Sequence, residues 1–455
     1  MHIHILGACG TFMGGVALLA KRAGHRVSGS DQRTYPPMST QLESEGIELF
    51  EGYASEQLIP EPDLVVIGNA LSRGNPAVEH VLNSGIPYTS GPRWLGENYL
   101  RDRPVIAVAG THGKTTTASM VAWILESAGR NPGFMIGGVP LNFGHSARDG
   151  EQYFVVEADE YDTAFFDKRA KFVHYRPHIT VLNNLEFDHA DIYPDLKAIQ
   201  TQFHHLVRTI PGNGTIISNG QDAKLESVLD QGFWSRLQRF SMEEGHEWQA
   251  ELLKPDGSEL AFHFEGRQVG NLSWAHCGRH NAMNACAALS ACVAAGVSAK
   301  SALEALASFR GVKRRMELIT DVNEIRVYDD FAHHPTAIRL TLEGLRKNVG
   351  NARVLVALEP RSNTMRSSVH SGELGPALIA ADHVWLMAGG SIDWDPHEVL
   401  APLDGRGRVV TRGDDLLAQM LDAVRPGDYV VFMSNGGFES TPARFSQALK
   451  AHEHR

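Results

Sequence analysis

Five consecutive apolar residues, Val105-Ile106-Ala107-Val108-Ala109, run into Gly110-Thr111-His112-Gly113-Lys114-Thr115-Thr116, and a helical pattern follows at once. A strand with no polar alternation is buried on both faces, which commits this part of the chain to a parallel α/β sheet. The glycine turn leaves backbone N–H groups free at a helix N-terminus, where they can cradle phosphates. Lys114 can reach the outer phosphates, and the Thr115 hydroxyl can ligate Mg²⁺. The turn is shorter than the usual G-x-x-x-x-G-K-[ST] spacing, which would put a glycine at Val108. A nucleotide cradle is expected from Gly110 to Thr116.

Strand-like and helical runs alternate on both sides of this turn. Residues 2–6 form an apolar run ending at Gly7, with Gly10 and Gly14 ahead of a helical stretch and Arg26 to Ser30 as a second strand closing on Asp31. Further strands are expected at Leu64 to Ile67 and Pro87 to Thr89. After the polar segment 97–103 a second unit starts, with strands at Pro104 to Ala109, Phe154 to Val156 and Ile179 to Leu182 and a last helix over Asn281 to Ala295. The alternation restarts at Ile325 to Tyr328 and continues through Val354 to Leu358, His383 to Met387 and Tyr429 to Met433. At roughly 150 residues per domain, 455 residues suit three α/β domains, placed at 1–100, 101–311 and 312–455.

Two more strand ends carry chemistry. Phe154-Val155-Val156 leads into Glu157, Asp159, Glu160 and Asp162, and a carboxylate group at the ligand-facing end of a sheet suits Mg²⁺, with Glu157 the leading ligand. Asn183-Asn184-Leu185-Glu186-Phe187-Asp188-His189 follows the next strand, and His189 can ligate a second metal or orient substrate. Asn281 and Asn284 share a helix face, where they can bond a base or cap the helix. In Tyr328-Asp329-Asp330-Phe331-Ala332-His333-His334-Pro335, Asp330 suits a ribose hydroxyl, and the adjacent histidines suit a metal equally well. The N-terminal glycines miss G-x-G-x-x-G, since Cys9 stands where the second glycine would, so this pattern alone is weak evidence for NAD.

Composition removes several classes. With 53 acidic against 42 basic side chains the formal net charge is −11, which repels polyanions and anionic membrane surfaces, so no nucleic-acid partner is expected. Cys9, Cys277, Cys286 and Cys292 form no C-x-x-C pair, which argues against a disulfide framework or structural zinc and favours a reducing compartment. The start lacks a signal-peptide pattern, and no apolar run approaches the ~18 residues of a membrane span. A cytoplasmic protein is expected.

Taken in order, G-T-H-G-K-T-T, E-A-D-E, N-x-E-x-D-H, H-N-x-x-N and D-D-F-A-H-H-P, together with G-x-x-G-x-x-x-G and Ser28-Gly29-Ser30-Asp31 near the start, resemble the Mur ligase family of ATP-dependent amide-forming enzymes. The N-terminal motif resembles the branch that acts on UDP-N-acetylmuramate. The resemblance implies a Rossmann-like N-terminal domain, a central P-loop ATPase-type domain and a Rossmann-like C-terminal domain. It implies ATP and Mg²⁺, with Lys114, Glu157 and His189 as catalytic residues and Thr115, Glu157 and His189 at metal. Nucleotide contacts are implied for Gly110, Thr111, His112, Gly113, Lys114, Thr115, Thr116, Asn281, Arg314 and Asp330. Substrate contacts are implied for Gly7, Gly10, Ser30, Asp31, Arg361, Asn363 and Arg366. Within the branch, the stretch from Tyr161 to Arg169, Gly137 to Gly144 and Glu359 to Arg366 resemble members that attach the tripeptide L-alanyl-γ-D-glutamyl-meso-diaminopimelate rather than L-alanine, which is the alternative. Phe203-His204-His205 stands where some branches carry a carbamylated lysine, so none is expected.

Overall fold

The computed structural model describes residues 1–35, 38–390 and 392–453. Three sheets follow one another along the chain. The first is all parallel, in the order Glu48–Glu51, Arg26–Asp31, His2–Leu6, Leu64–Ile67, Tyr88–Ser90. The second has ten strands. Seven of them, from Trp248–Leu252 through Arg236–Ser241, Thr215–Asn219, Ile179–Leu182, Val105–Ala109 and Phe154–Ala158 to Gly133–Met135, run parallel. Antiparallel strands close both ends, Glu259–Phe264 and Arg267–Ser273 at one and Ala147–Arg148 at the other. The third is parallel apart from Glu317–Val322 at its edge.

Topology decides where ligands can sit. From Val105–Ala109 the chain first builds Gly133–Met135 and Ala147–Arg148 on one side, returns to Phe154–Ala158 beside the starting strand, then crosses to Ile179–Leu182 on the other side. The loops after these three strands therefore splay apart at one carboxyl edge, and open α/β sheets hold ligands in that crevice. His2–Leu6 occupies the same place in the first sheet, between Arg26–Asp31 and Leu64–Ile67, with the Gly7–Gly10 turn at its carboxyl end. The sheets are covered because Val105–Ala109 is buried at every position and the helices Lys114–Ser127 and Arg279–Ala294 pack on one side of it.

Local contacts fasten the three units. Gly96 faces the His174 carbonyl so closely that a Cβ would lie 2.0 Å from it, so only glycine lets the Leu95–Tyr99 turn dock there. The connection to the third sheet is laced to the Gly137–Gly144 segment: Lys313 N donates to Val139 O at 3.0 Å and Leu141 N to Gly311 O at 2.9 Å. All four cysteines are free thiols. Among the described residues no helix is long and apolar enough to cross a membrane.

One buried polar chain runs through the first sheet. His2 Nε2 lies 2.8 Å from Ser28 Oγ, which lies 2.8 Å from His4 Nδ1; His4 Nε2 lies 2.9 Å from Ser30 Oγ, which donates to Gln57 Oε1 at 2.8 Å. With His4 neutral, as its burial favours, one proton order satisfies every member, each donating toward Gln57. Burial, with a smaller effect from His2, pushes the His4 pKa down to about 4, against an ordinary value of about 6.5. The unfolded chain therefore takes up a proton first on acidification, so this contribution to stability is full above pH ~6.5 and is lost progressively down to pH ~4. The expected loss is about 2–4 kcal/mol. Unfolding at stepped pH should show this acid limb in the wild type and a flatter one in His4→Gln; an identical limb in both would remove His4 as its source.

Candidate active site

The Gly110–Gly113 turn is shaped from outside. Thr111 N donates to Asn184 O at 3.1 Å and His112 N to Asn184 Oδ1 at 2.8 Å, while the Asn184 and Asn183 amides donate back to His112 O at 3.0 and 3.2 Å. Asn284 Oδ1 accepts from Asn183 at 2.9 Å and from Thr117 at 3.1 Å. Gly113 has φ +76°, and a Cβ there would lie 2.4 Å from Asn284 Oδ1, so the three asparagines and the glycine form one fitted unit. The second strand end thus braces the first. Asn284, rather than Asn281, is the member of the helix pair that holds the turn. The Asn281 amide donates to Cys277 O at 2.8 Å, inside its own helix start, although the residue lines the cavity described below.

Charge gathers on either side of Lys114. Its Nζ lies 2.8 Å from Glu160 Oε2 and 4.0 Å from Asp159 Oδ1. Glu160 Oε1 is 3.2 Å from His189 Nε2, and Asp159 Oδ2 is 3.1 Å from Lys171 Nζ. Burial opposes charge on Lys114, His189, Asp159 and Glu160, but the pairing outweighs it: the lysine and histidine are raised above their ordinary values, and the two carboxylates are held low. His189 has φ +56° and packs against the Tyr161 ring at 4.4 Å. Glu157 stands apart from this group: its Oε1 accepts from Thr115 Oγ1 at 2.9 Å and its Oε2 from Gly137 N at 2.7 Å.

The residues expected at metal therefore fall into two sets. Thr115 and Glu157 supply hydroxyl and carboxylate oxygens side by side, a donor set that suits a hard cation such as Mg²⁺. His189 instead joins Asp159 and Glu160, whose ligand atoms lie within 4.8 Å of one another. Motif reading favoured Glu157 within the acidic run and gave Asp159 and Glu160 no separate part.

A cavity of about 330 Å³ opens beside the turn, bounded among others by Thr115, Asn281, Arg315, Tyr328, Asp330 and Asn348. It lies between the second and third sheets. Asp330 lines it, but both of its oxygens already accept backbone amides, of Ala332 and Met316 at 2.8 Å each, and burial raises its pKa despite Arg315 nearby. Arg314 does not reach the cavity. Its guanidinium donates to Ser434 O at 2.6 Å and Gly436 O at 2.8 Å and pairs with Asp329 at 3.2 Å, all within the third unit. Arg315 is the one that crosses: its Nη2 donates to Thr115 Oγ1 at 3.3 Å. The doublet Arg314-Arg315 is visible in the sequence, but Arg314 takes φ +57°, which turns the two side chains apart in a way that no motif encodes.

The remaining expected residues sit in two other places. In the first sheet Gly7, at φ +85°, turns the chain so that its amide donates to Ser30 O at 2.8 Å, and Gly10 is the exposed cap residue of helix Thr11–Arg22. Asp31 Oδ2 accepts from Cys9 N at 2.8 Å. The Ser30 hydroxyl is fully buried in the His4 chain, so only its backbone faces the turn. After Val354–Leu358, Arg361 is exposed, Asn363 contacts Asp191 of the second unit at 3.4 Å, and Arg366 Nε is buried with no partner among the described residues.

A sheet switch point with a braced glycine turn, one lysine, paired carboxylates and an arginine reaching in from the next unit is the layout of a phosphoryl-transferring enzyme, and the chain belongs to the Mur ligase family. Models of that family match it as the Mur ligase family catalytic domain over residues 2–103, the Mur ligase middle domain over 108–292 and the Mur ligase glutamate ligase domain over 314–436. It is 54% identical over 96% of its length, and 96% of the relative's, to UDP-N-acetylmuramate–L-alanyl-γ-D-glutamyl-meso-2,6-diaminoheptandioate ligase of Escherichia coli strain K12. The Haemophilus influenzae ligase of the same name is 48% identical, with 99% of each chain covered. The crystal structure of the murein peptide ligase of Psychrobacter arcticus superposes with a TM-score of 0.77 at 48% identity, covering 99% of this chain and 98% of that one. A UDP-N-acetylmuramate–L-alanine ligase of Syntrophomonas wolfei is 33% identical over 84% of this chain and 80% of its own.

Arg315→Ala should weaken ADP binding at least about tenfold, because it removes a charged fork from the cavity wall, whereas Arg314→Ala should leave it near normal. Calorimetric titration of both variants checks this. The reverse ranking would return Arg314 to the nucleotide.

Proposed function

We propose that this chain is the ATP-dependent ligase that joins UDP-N-acetylmuramate to L-alanyl-γ-D-glutamyl-meso-diaminopimelate, the recycled murein tripeptide, with release of ADP and phosphate. The observation that carries the choice of acceptor is the 54% identity, end to end, to the enzyme of that name, against 33% over a shorter span to an alanine-adding relative. The reaction belongs to the acid–amino acid or peptide ligases and takes place in the cytoplasm, where ATP is supplied.

A carboxylate is a poor electrophile. Transfer of the γ-phosphoryl group from ATP to the lactyl carboxylate releases ADP and forms an acyl phosphate; attack by the tripeptide amine forms the amide, expels phosphate and frees a proton. Phosphoryl transfer depends on positioning and charge neutralisation, so the amides from Gly113 to Thr116, at the helix start and not taken by Asn184, bind the phosphate oxygens and Lys114 and Arg315 neutralise them. An entering phosphate competes with Glu160 for Lys114, which leaves Glu160 to hold His189. Thr115 and Glu157 would hold Mg²⁺, with His189 beside a second ion; bound there, Mg²⁺ lowers the cost of the charge that gathers on the transferred group. Gly7, Gly10 and Asp31 form the muramate end, at the first sheet's switch point beside the N-terminus of helix Thr11–Arg22. Enclosure between the second and third units keeps water from the acyl phosphate.

The planar guanidinium of Arg366 suits a carboxylate of the tripeptide, which carries several where alanine has one. ADP release should need UDP-N-acetylmuramate and tripeptide together, and L-alanine should replace the tripeptide poorly. Equal rates with L-alanine would favour the alternative enzyme. Lys114→Ala should cut turnover by about 10²-fold or more in a folded protein. Arg366→Ala should raise KM for the tripeptide well above any change for ATP or UDP-N-acetylmuramate; equal small changes in all three would move peptide recognition to Lys168 and Arg169.

A further inference from the structure

Beside the nucleotide cavity lies a second group of side-chain donor atoms, one of them the imidazole of His112 from the nucleotide turn. His112 from the glycine turn, Glu186 from the segment after Ile179–Leu182, and His334 at the start of helix Pro335–Val349 each bring one ligand atom within 4.8 Å of the other two. His334 is buried, and His112 and Glu186 are half-buried. Glu186 Oε2 lies 3.4 Å from His112 Nε2 and 3.5 Å from His334 Nδ1, and the two imidazole centroids are 4.4 Å apart.

These separations are long for charge-assisted N–H···O bonds, which run at about 2.7–2.9 Å. Two other half-buried histidine–carboxylate pairs in the chain are tighter, at 3.1 Å for His174 with Asp167 and 3.2 Å for His189 with Glu160. The edge of a tetrahedron whose corners lie about 2.0–2.1 Å from its centre is about 3.3–3.4 Å, which is the spacing of ligands around Zn²⁺. Two imidazoles and one carboxylate are a borderline donor set that favours Zn²⁺, whereas Mg²⁺ prefers the all-oxygen pair of Thr115 and Glu157. The contacts of Glu186 and of His334 Nδ1 agree with this, while the buried His334 Nε2 has no partner among the described residues. Thr336 Oγ1 donates to Glu186 Oε2 at 2.8 Å, fixing the carboxylate as outer partners of metal ligands do. Thr336 N approaches His334 Nδ1 at 3.3 Å, a long helix-capping contact that a metal would replace. His112, Glu186 and Thr336 all line the cavity, so one coordination position faces it.

We propose that His112, Glu186 and His334 form a Zn²⁺ site, separate from the Mg²⁺ position, with its fourth position open to the nucleotide cavity. Two ligands belong to the second unit and one to the third, so bound Zn²⁺ ties the two together across the cavity.

Equilibrium dialysis of the full chain against Zn²⁺ in excess Mg²⁺, with bound metal measured by mass spectrometry, should find one tightly held Zn²⁺ per chain. His334→Asn keeps a side chain that caps a helix well but removes a ligand, so the Kd for Zn²⁺ should rise at least about tenfold. Glu160→Gln, in the neighbouring cluster, should leave it unchanged. Co²⁺ in place of Zn²⁺ should give the intense visible absorption of a four-coordinate site in the wild type and lose it in His334→Asn. If His334→Asn melts early, His112→Asn tests the same site from another element. No bound zinc, equal binding by the wild type and both histidine variants, or binding lost in Glu160→Gln and kept in His334→Asn would each overturn the assignment.

Discussion

The active-site crevice depends on how the Gly110–Gly113 turn is held. A turn that offers amides to phosphate cannot use them in its own hydrogen-bond ladder, so its shape must be fixed by other groups. Asn183, Asn184 and Asn284 do this from two elements far apart in sequence, through bonds of 2.8–3.2 Å to the backbone of the turn and to one another. Amide side chains suit the task because each carries both donors and an acceptor and no charge. A carboxylate in the same place would repel the phosphate, and a hydroxyl would not span the gap.

The same economy governs the charged groups. Lys114 and Lys171 face Asp159 and Glu160 in a nearly closed environment, and neither sign is left uncompensated. Buried charges are tolerated only when paired, and removing one partner costs more than the pair contributes. The arrangement therefore preserves a place for strong charge near the crevice without a large net field. Glu157, tied to Thr115 and to the Gly137 amide, is kept out of that exchange and remains a local oxygen donor.

Much of the parallel core was legible because strands buried on both faces read as uninterrupted apolar runs: Leu64–Ile67, Ile179–Leu182, Val354–Leu358, His383–Met387 and Tyr429–Met433 all form as their sequences indicate. The antiparallel edge was not. Trp248–Leu252, Glu259–Phe264 and Arg267–Ser273 mix charged and apolar residues, and their pairing carries a register shift between Phe262 and His263 that breaks any simple alternation. At the site, motif order indicated which strand ends meet but not which neighbour of a doublet faces inward. Arg314 and Arg315 differ by a single left-handed residue, and Ser30 differs from the Gly7 turn it supports by which face of the sheet its hydroxyl meets. Such choices depend on backbone torsion and on partners distant in sequence.

The third sheet contributes to the crevice through few atoms. Arg315 reaches Thr115, Thr336 reaches Glu186, Asn363 reaches Asp191, and Asn348 donates to Asp256 at 2.9 Å. These are polar contacts, and several are partly exposed, unlike the apolar packing inside each unit. Interfaces of this kind hold domains together weakly enough to open and close. The lacing of Lys313 and Leu141 at the connection supplies the fixed end, since backbone pairs on two extended segments resist sliding while allowing rotation about them. The segments that carry Arg315 and Thr336 follow this connection along the chain, so the third unit's share of the cavity wall is carried on a body fastened at its start. Arg315, two residues past Lys313, is held in register by that lacing, whereas Thr336 is brought to Glu186 from the start of the helix Pro335–Val349.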